Sequence, residues 1–595
     1  ENNVTYIECL HENIAIGAAM GYARMTGKPG ILVVHVTPGI GHSLGNLFNA
    51  ARSRVPLVIF CGQQQNELVT QEPLLASNLV QVANQYCKWA HELRSWAEIP
   101  LVLQRAFKEA MAPPNGPVFI SFPWEFMLHE VSPAGDRMQG VTQIAPHFTG
   151  DPAAIKQAAA VLGKSQNPVI ICGDAVGYAG AWPELQKLAQ LLGAPVYLEG
   201  FSSMANFPNT DYHWQGELPG SQQQIQQRLA VHDTAFLCGF GAQAQLAVFK
   251  YSDGSLIPPS VSNVIYLTNN TWDIGKNYYG QVAILGDIKA TLPELNALVA
   301  KHPPSTADQN NKQLKAAAKA RDVMWGQYLE QGRKAKKVWS VVVAAELRQL
   351  LLEYKLEKKF VYVHEAVSEG PQFQYFLPFG PPYAEPISYY CVEGGSLGWS
   401  MPATLGIKLG TGGGLGVEPE MVVNAVGDGS SLFYPQVWWT SAHREIPCLY
   451  LIMNNQEYHT LQVGLQQVVA AYGTAPGYNW QPYSMTPDYL TIRKPNFNFT
   501  KLAAAFGVTG GLTIKQPGEV RAALKQGFDH VLTKKQSFVL DIRVPHAEPQ
   551  PGAKKATASA AVESMQPPPL DLYYYREKAQ AIEGIELSIQ TPVIF

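Results

Sequence analysis

A chain of 595 residues is longer than a single hydrophobic core normally supports, so about two to four domains are expected. Apolar residues make up 46% and charged residues 15%, which is the balance of a well-packed globular protein with a rather neutral surface. The net charge of −3 leaves no electrostatic footprint for nucleic acid, and no apolar run approaches the roughly 20 residues needed to cross a bilayer. Neither nucleic acid nor membrane is therefore an expected partner. The first residues, Glu1-Asn2-Asn3-Val4, do not have the form of a signal peptide. The seven cysteines form no CxxC pair and mostly fall in apolar runs, so reduced thiols and a cytoplasmic location are expected.

Three regions in turn show short apolar runs, glycine-rich turns and amphipathic stretches. In the first, Glu12 is expected to stand where an apolar strand gives way to a helix of small residues, "ENIAIGAAMGYA". Strands are predicted at Ile31 to Val34, which His35 ends, and at Pro56 to Phe60. Between them, Thr37 to His42 should form a glycine-rich loop leading into a helix, with His42 as its cap. After a polar linker from Ser132 to about Asp151, strands are predicted at Pro168 to Ile171 and Thr234 to Leu237. A charged segment, Lys301 to Lys337, leads to the third region. Strands alternating with helices of about ten to fifteen residues predict βαβ units and parallel sheets. The expected architecture is α/β, with three doubly wound parallel-sheet domains at 1–130, 151–300 and 338–548. The last stretch, 549–595, reads as a Pro/Ala/Ser/Lys-rich linker and a tail that docks.

The strongest signal lies in the third region. The apolar run Met421 to Val426 ends in Gly427-Asp428-Gly429, and Ser430 should open an amphipathic helix. A second apolar run, Cys448 to Met453, ends in Asn454-Asn455. The spacing allows a helix and a return to a neighbouring parallel strand, so both turns meet at the carboxyl edge of one sheet, where open α/β sheets bind ligands. The chemistry suits Mg²⁺ with a diphosphate. Asp428 offers a carboxylate, Asn455 a side-chain carbonyl and Glu457 a backbone carbonyl, while Gly427 and Gly429 allow close backbone approach. The helix start presents N–H groups to phosphate. A capped strand-to-helix turn is the plainer reading of GDG alone. GDG with NN at this spacing arises by chance in roughly one such chain in a few hundred.

This pair of motifs resembles the thiamin diphosphate signature. The text "GDGSSLFYPQVWWTSAHREIPCLYLIMNNQEYHTLQ" is similar to the 2-oxo acid decarboxylase and carboligase family, and closest in appearance to benzoylformate decarboxylases. So are "LHENIAIGAAMGYARMTGKPG" and, more weakly, "APVYLEGFSSMANFP". The resemblance implies pyrimidine-binding, central and diphosphate-binding domains. It also implies thiamin diphosphate and Mg²⁺ as cofactors, and a homodimer or homotetramer with the cofactor between subunits. It places the family's proton-relay carboxylate at Glu12, where a dipole-favoured helix glutamate is the plainer reading. In "YYCVEGGSLGWS" it implies that Gly395 accepts from the cofactor's amine and that Leu397 wedges beneath its rings. Ser368 would donate to the diphosphate. His35 falls at a histidine used in proton transfer, although a lone strand-end histidine is more often a packed residue. Leu461 matches an apolar pocket residue, and Gly464 stands where relatives carry a bulky aromatic.

Three departures bear on the substrate. The family's second active-site histidine falls near Ser252, no adjacent His-His pair occurs, and the first domain is expected to lack its opening segment. The expected activity is decarboxylation of a 2-oxo acid through an enamine to an aldehyde. The alternatives are a carboligase of the acetolactate synthase kind, a 2-hydroxyacyl-CoA lyase, and a degenerate regulatory member, which the intact Glu12, Asp428 and Asn455 argue against. A structural flavin is a further option.

Overall fold

The computed structural model describes residues 4–128, 140–145, 147–219, 222–241, 256–379, 388–410, 419–472 and 488–545, together with Asp571. Ser252, residues 132–139 and 146 of the linker and all of the tail but Asp571 lie outside the described residues.

Three parallel sheets follow one another along the chain, as expected. The first holds β1 (Gly30–His35), β2 (Leu57–Gln63), β3 (Trp89–Glu92) and β4 (Pro117–Pro123) in the order β1-β2-β4-β3. The second holds β5 (Pro168–Cys172), β6 (Val196–Leu198), β7 (Trp214–Glu217), β8 (Thr234–Cys238), β9 (Asn263–Thr268) and β10 (Val282–Leu285), ordered β10-β9-β8-β5-β6-β7. The third holds β11 (Phe360–Glu365), β12 (Tyr389–Cys391), β13 (Met421–Gly427), β14 (Leu449–Asn454), β15 (Gly510–Ile514) and β16 (Phe538–Arg543), ordered β12-β11-β13-β14-β16-β15. Strands such as β5, β8 and β14 are apolar at almost every position because helices cover both faces of a parallel sheet. Edge strand β1 alternates instead, leaving Ile31 and Val33 exposed. The charged segment after Lys301 forms one long helix, Ala307–Lys334.

The small-residue helix is α1 (Glu12–Thr26), and its composition has a packing reason. It crosses the helix Ser400–Leu409 of the third domain at backbone contact. A Cβ on Gly21 would collide with the Ala403 carbonyl, and one on Gly406 with that of Ala18. Arg24, buried in the last turn of α1, donates to Ser203 O and Oγ of the central domain at 2.8 Å each. One helix thus fastens three domains.

Two local expectations are corrected. Residues 4–9 ahead of α1 form no strand; His11 ends them as the N-cap, its Nδ1 accepting from Asn13 N at 3.1 Å. The helix expected after the glycine-rich loop, α2 (Val36–Arg52), starts at Val36, because Pro38 sits in a first turn whose N–H groups need no helical partner. His42 therefore lies inside α2, and His35, not His42, holds the cap position.

Candidate active site

In the third sheet the chain passes from β11 to β12 on one side and then to β13 on the other. The carboxyl ends of β11 and β13 therefore flank a topological switch point, the usual ligand crevice of such sheets. A cavity of about 720 Å³ opens there. Its walls include Ser368 after β11, Gly395 and Leu397 after β12, Gly427 to Ser430 after β13, and Asn455 and Glu457 after β14. Gly427 pairs in register with Met453, so the two turns stand side by side.

Asp428 is 3% exposed, and its Oδ1 accepts from Gly429 N at 2.9 Å and its Oδ2 from Gln456 N at 2.5 Å. Burial pushes its carboxyl up to about 7, and its acidic neighbours Glu457 and Asp541 push the same way. A buried acid facing like charges is what a divalent cation would relieve. Asn455 Oδ1 accepts from Glu457 N at 3.1 Å, which fixes the amide oxygen beside that strand end. The Glu457 carboxylate pairs with Arg493 (3.1 Å) and His459 (3.3 Å), so its backbone carbonyl is the group it would offer to a metal. Carboxylate, amide oxygen and carbonyl form an all-oxygen donor set that fits Mg²⁺.

The helix expected after Gly429 is shorter than the sequence suggests. It is a single turn, Asp428–Ser431, followed after a break by Val437–His443. Pro435 explains the break, since the residue before proline is driven out of the helical region. Ser430 remains at the cavity wall, 5% exposed.

Gly395 has φ 77°, and nothing lies within 4 Å of where its Cβ would be, so its backbone faces open cavity. Half-buried Leu397 lines the same wall. Both are held by a residue the sequence reading passed over. Glu365, the last residue of β11, accepts from Gly398 N and Ser400 N at 2.6 Å each. Beside it, His364 bonds Tyr362 through Nδ1 at 3.0 Å, and burial pushes its imidazole down to about 4. The only sequence signal for either was a pair of polar residues closing an otherwise apolar strand. Three non-glycine residues at positive φ stand at or just beyond strand ends: Val36 (43°), Val367 (38°) and Gln456 (63°). Such strained backbone is costly and tends to collect at functional sites.

Glu12 and His35 do not line this cavity. Glu12 opens α1 half-buried, with its Oε2 3.1 Å from His42 Nδ1. His35 ends β1 exposed, next to strained Val36. Leu461, in the first turn of the helix His459–Tyr472, lines the cavity, whereas Gly464, one turn on, is half-buried and is not among the lining residues.

Three family descriptions match in chain order. They are the thiamine pyrophosphate enzyme N-terminal TPP binding domain over residues 1–82, the central domain over 155–295, and the C-terminal TPP binding domain over 379–542. The chain belongs to the thiamin diphosphate-dependent enzymes. Among its relatives is benzoylformate decarboxylase of Pseudomonas aeruginosa, 26% identical over 553 residues, covering 91% of this chain and 92% of that protein. Another is the acetolactate synthase large subunit of Haemophilus influenzae, 25% identical over 559 residues, covering 92% and 88%. The fold matches crystallised benzoylformate decarboxylase from Polynucleobacter necessarius with a TM-score of 0.72, at 23% identity and 92% coverage of each chain. This enzyme of the thiamin diphosphate family thus has both decarboxylase and synthase kin. Among its described residues, no helix is long and apolar enough to cross a membrane.

Proposed function

We propose that the enzyme is a lyase that decarboxylates a 2-oxo acid to an aldehyde. The observation that carries this is the meeting of Asp428, Asn455 and the Glu457 carbonyl with Gly395, Leu397 and Ser368 around one cavity. The first three would hold Mg²⁺; Ser368, Ser430 and the backbone N–H groups after Gly429 would hold the diphosphate. Gly395 would accept from the aminopyrimidine, and Leu397 would support the ring system. When bound, thiamin diphosphate supplies an electron sink beside the substrate carbonyl, so that the bond to the carboxylate can break.

Glu12 is the group that exchanges a proton with the aminopyrimidine, and His35 supplies protons to the reacting substrate. Because Glu12 stands outside the cavity walls of its own chain, we place it at the cavity of a second copy, making the enzyme a homodimer or homotetramer. Leu461 lines the acyl pocket, and Gly464, one turn behind it, leaves that stretch of helix without a bulky side chain. All seven cysteines are free, including Cys172 and Cys238, which pair in register across β5 and β8; this supports a reducing, cytoplasmic setting.

A carboligase reading has its own support. The cavity runs on past the metal turn to Gln215, Leu218 and Arg228 of the central domain, which leaves space for a second carbonyl compound. The test is a panel of 2-oxo acids with thiamin diphosphate and Mg²⁺, read by mass spectrometry. Aldehyde as the main product supports the lyase; acyloin or acetohydroxy acid from the same panel replaces it with the carboligase.

A further inference from the structure

His364, next to last in β11, is 5% exposed and lines the cavity, yet it has no part in holding metal or diphosphate. Its Nδ1 stands 3.0 Å from the hydroxyl of Tyr362, a fully buried side chain. Among the described residues that phenol has no other partner, so its proton is satisfied only when the hydroxyl donates to Nδ1. The opposite arrangement strands the phenol proton in an apolar core and is the costlier one. The imidazole therefore carries its own proton on Nε2. Burial alone pushes the ring down to about 4, so it stays neutral. Nε2 has no partner among the described residues, and it is not sealed in protein. A Cβ on Gly370 would stand 2.9 Å from it; glycine there leaves that edge open to the cavity.

The surroundings of this N–H form hydrogen bonds without free charge. The His364 ring stacks on Tyr389 at 6.4 Å between centroids. Gln374 Nε2 reaches the Tyr389 hydroxyl at 3.2 Å and Glu217 Oε1 at 2.8 Å. Gln215 and Gln224 line the same cavity from the central domain. Arg228, the sole arginine or lysine among the described lining residues, is paired with Asp571 at 3.2 Å. The central and third domains of one chain thus supply both walls of this arm.

We propose that His364 sets substrate specificity by donating its Nε2–H to an uncharged oxygen, such as a hydroxyl, on the acyl chain beyond the reacting carbonyl. This rests on the reading of the enzyme as a lyase of 2-oxo acids, and it names their class: oxygenated chains rather than plain hydrocarbon ones. A hydrocarbon chain in the arm would displace water from Nε2–H and leave the donor without an acceptor, the loss by which a hydrogen-bonding site rejects an analogue lacking its hydroxyl. A second carboxylate would meet the Glu217 carboxyl with no free cation to offset it.

The test uses straight-chain 2-oxo acids of increasing length, each with and without a terminal hydroxyl, and the full chain loaded with thiamin diphosphate and Mg²⁺. At the chain length that reaches Nε2, the parent should favour the hydroxylated member by about 10-fold in kcat/KM. His364→Phe keeps a stacking ring but no donor, so this preference should fall to near parity while the hydrocarbon members keep their rates. Because that variant strands the Tyr362 hydroxyl, the double variant Tyr362→Phe/His364→Phe is run beside it and should lose the preference with a Tm nearer the parent's. Absence of a hydroxyl preference in the parent at every length overturns the proposal, as does a preference that survives in both variants. A second readout needs no turnover. The matching 2-hydroxy acids, which have no carbonyl to attack, are titrated calorimetrically, and the member with a terminal hydroxyl should bind more tightly to the parent than to His364→Phe. If that difference is seen while no 2-oxo acid yields aldehyde, the lyase reading fails and the His364 subsite stands. If aldehyde forms without any hydroxyl preference, the subsite alone fails.

Discussion

The carboxylate of Glu365 holds the backbone N–H of Gly398, at 2.6 Å, and so fixes the turn that carries Gly395 and Leu397 to the cavity. Its second oxygen does the same for Ser400 at 2.6 Å. In Glu365→Gln one accepting oxygen becomes an NH₂ group facing a backbone N–H. Leaving a buried donor unsatisfied costs about 1–3 kcal/mol. Thermal stability should fall accordingly, and thiamin diphosphate should bind more weakly because Leu397 loses its anchor. Unchanged cofactor affinity in the variant would remove Glu365 from the positioning of that turn.

Gly464 lies one turn behind the cavity residue Leu461, and Phe there should reach into the space beside it. Gly464→Phe should shift the ratio of kcat/KM toward small 2-oxo acids and suppress ligation with bulky acceptors, since misplaced reactants lose rate steeply. Damage to helix packing would instead lower activity on every substrate and reduce Tm. An unchanged substrate ratio with intact Tm takes Gly464 out of the pocket.

Glu217 lines the far wall of the same cavity and accepts from Gln374 Nε2 at 2.8 Å. Burial pushes its carboxyl up to about 7. An acid raised in the folded state is protonated there while its unfolded form is already ionised. Its contribution is therefore whole below the ordinary carboxylate range and is lost as pH rises through about 7. Glu217→Gln should flatten the decline of stability between about pH 5 and 8 relative to the parent, by about 1–2 kcal/mol once cavity water is allowed for. Chemical denaturation at several pH values measures it; parallel curves for parent and variant would contradict the assignment.

What could be read from the sequence follows from which signals are local. The runs at Met421 to Val426 and Cys448 to Met453 announced buried parallel strands because both faces of such strands need apolar residues. The turns after them announced a ligand edge because Asp, Asn and Gly there serve few purposes in packing. Glu365 was not legible, since its two partners lie 33 and 35 positions away and a strand-end glutamate usually faces solvent. His42 was misplaced for a related reason. Gly39 and Gly41 suggested a loop, while the helix start was set by the turn at Val36. Tyr434-Pro435 cut the helix after Gly429 to one turn, a breaker overlooked beside the stronger apolar pattern.

The central claim is that Asp428 anchors a metal-bridged diphosphate at the end of β13. Its most direct test is calorimetric titration of thiamin diphosphate into metal-free protein, with and without Mg²⁺, for the parent and Asp428→Ala. In the variant the diphosphate keeps its charge but loses the carboxylate that holds the bridging ion, and breaking such a buried charge contact costs roughly 3–5 kcal/mol, or more than 100-fold in affinity. The parent should bind one cofactor per chain only when Mg²⁺ is present, and Asp428→Ala should show no saturable binding under the same conditions. Stoichiometric, Mg²⁺-independent binding in the parent, or full binding in Asp428→Ala, would contradict the assignment.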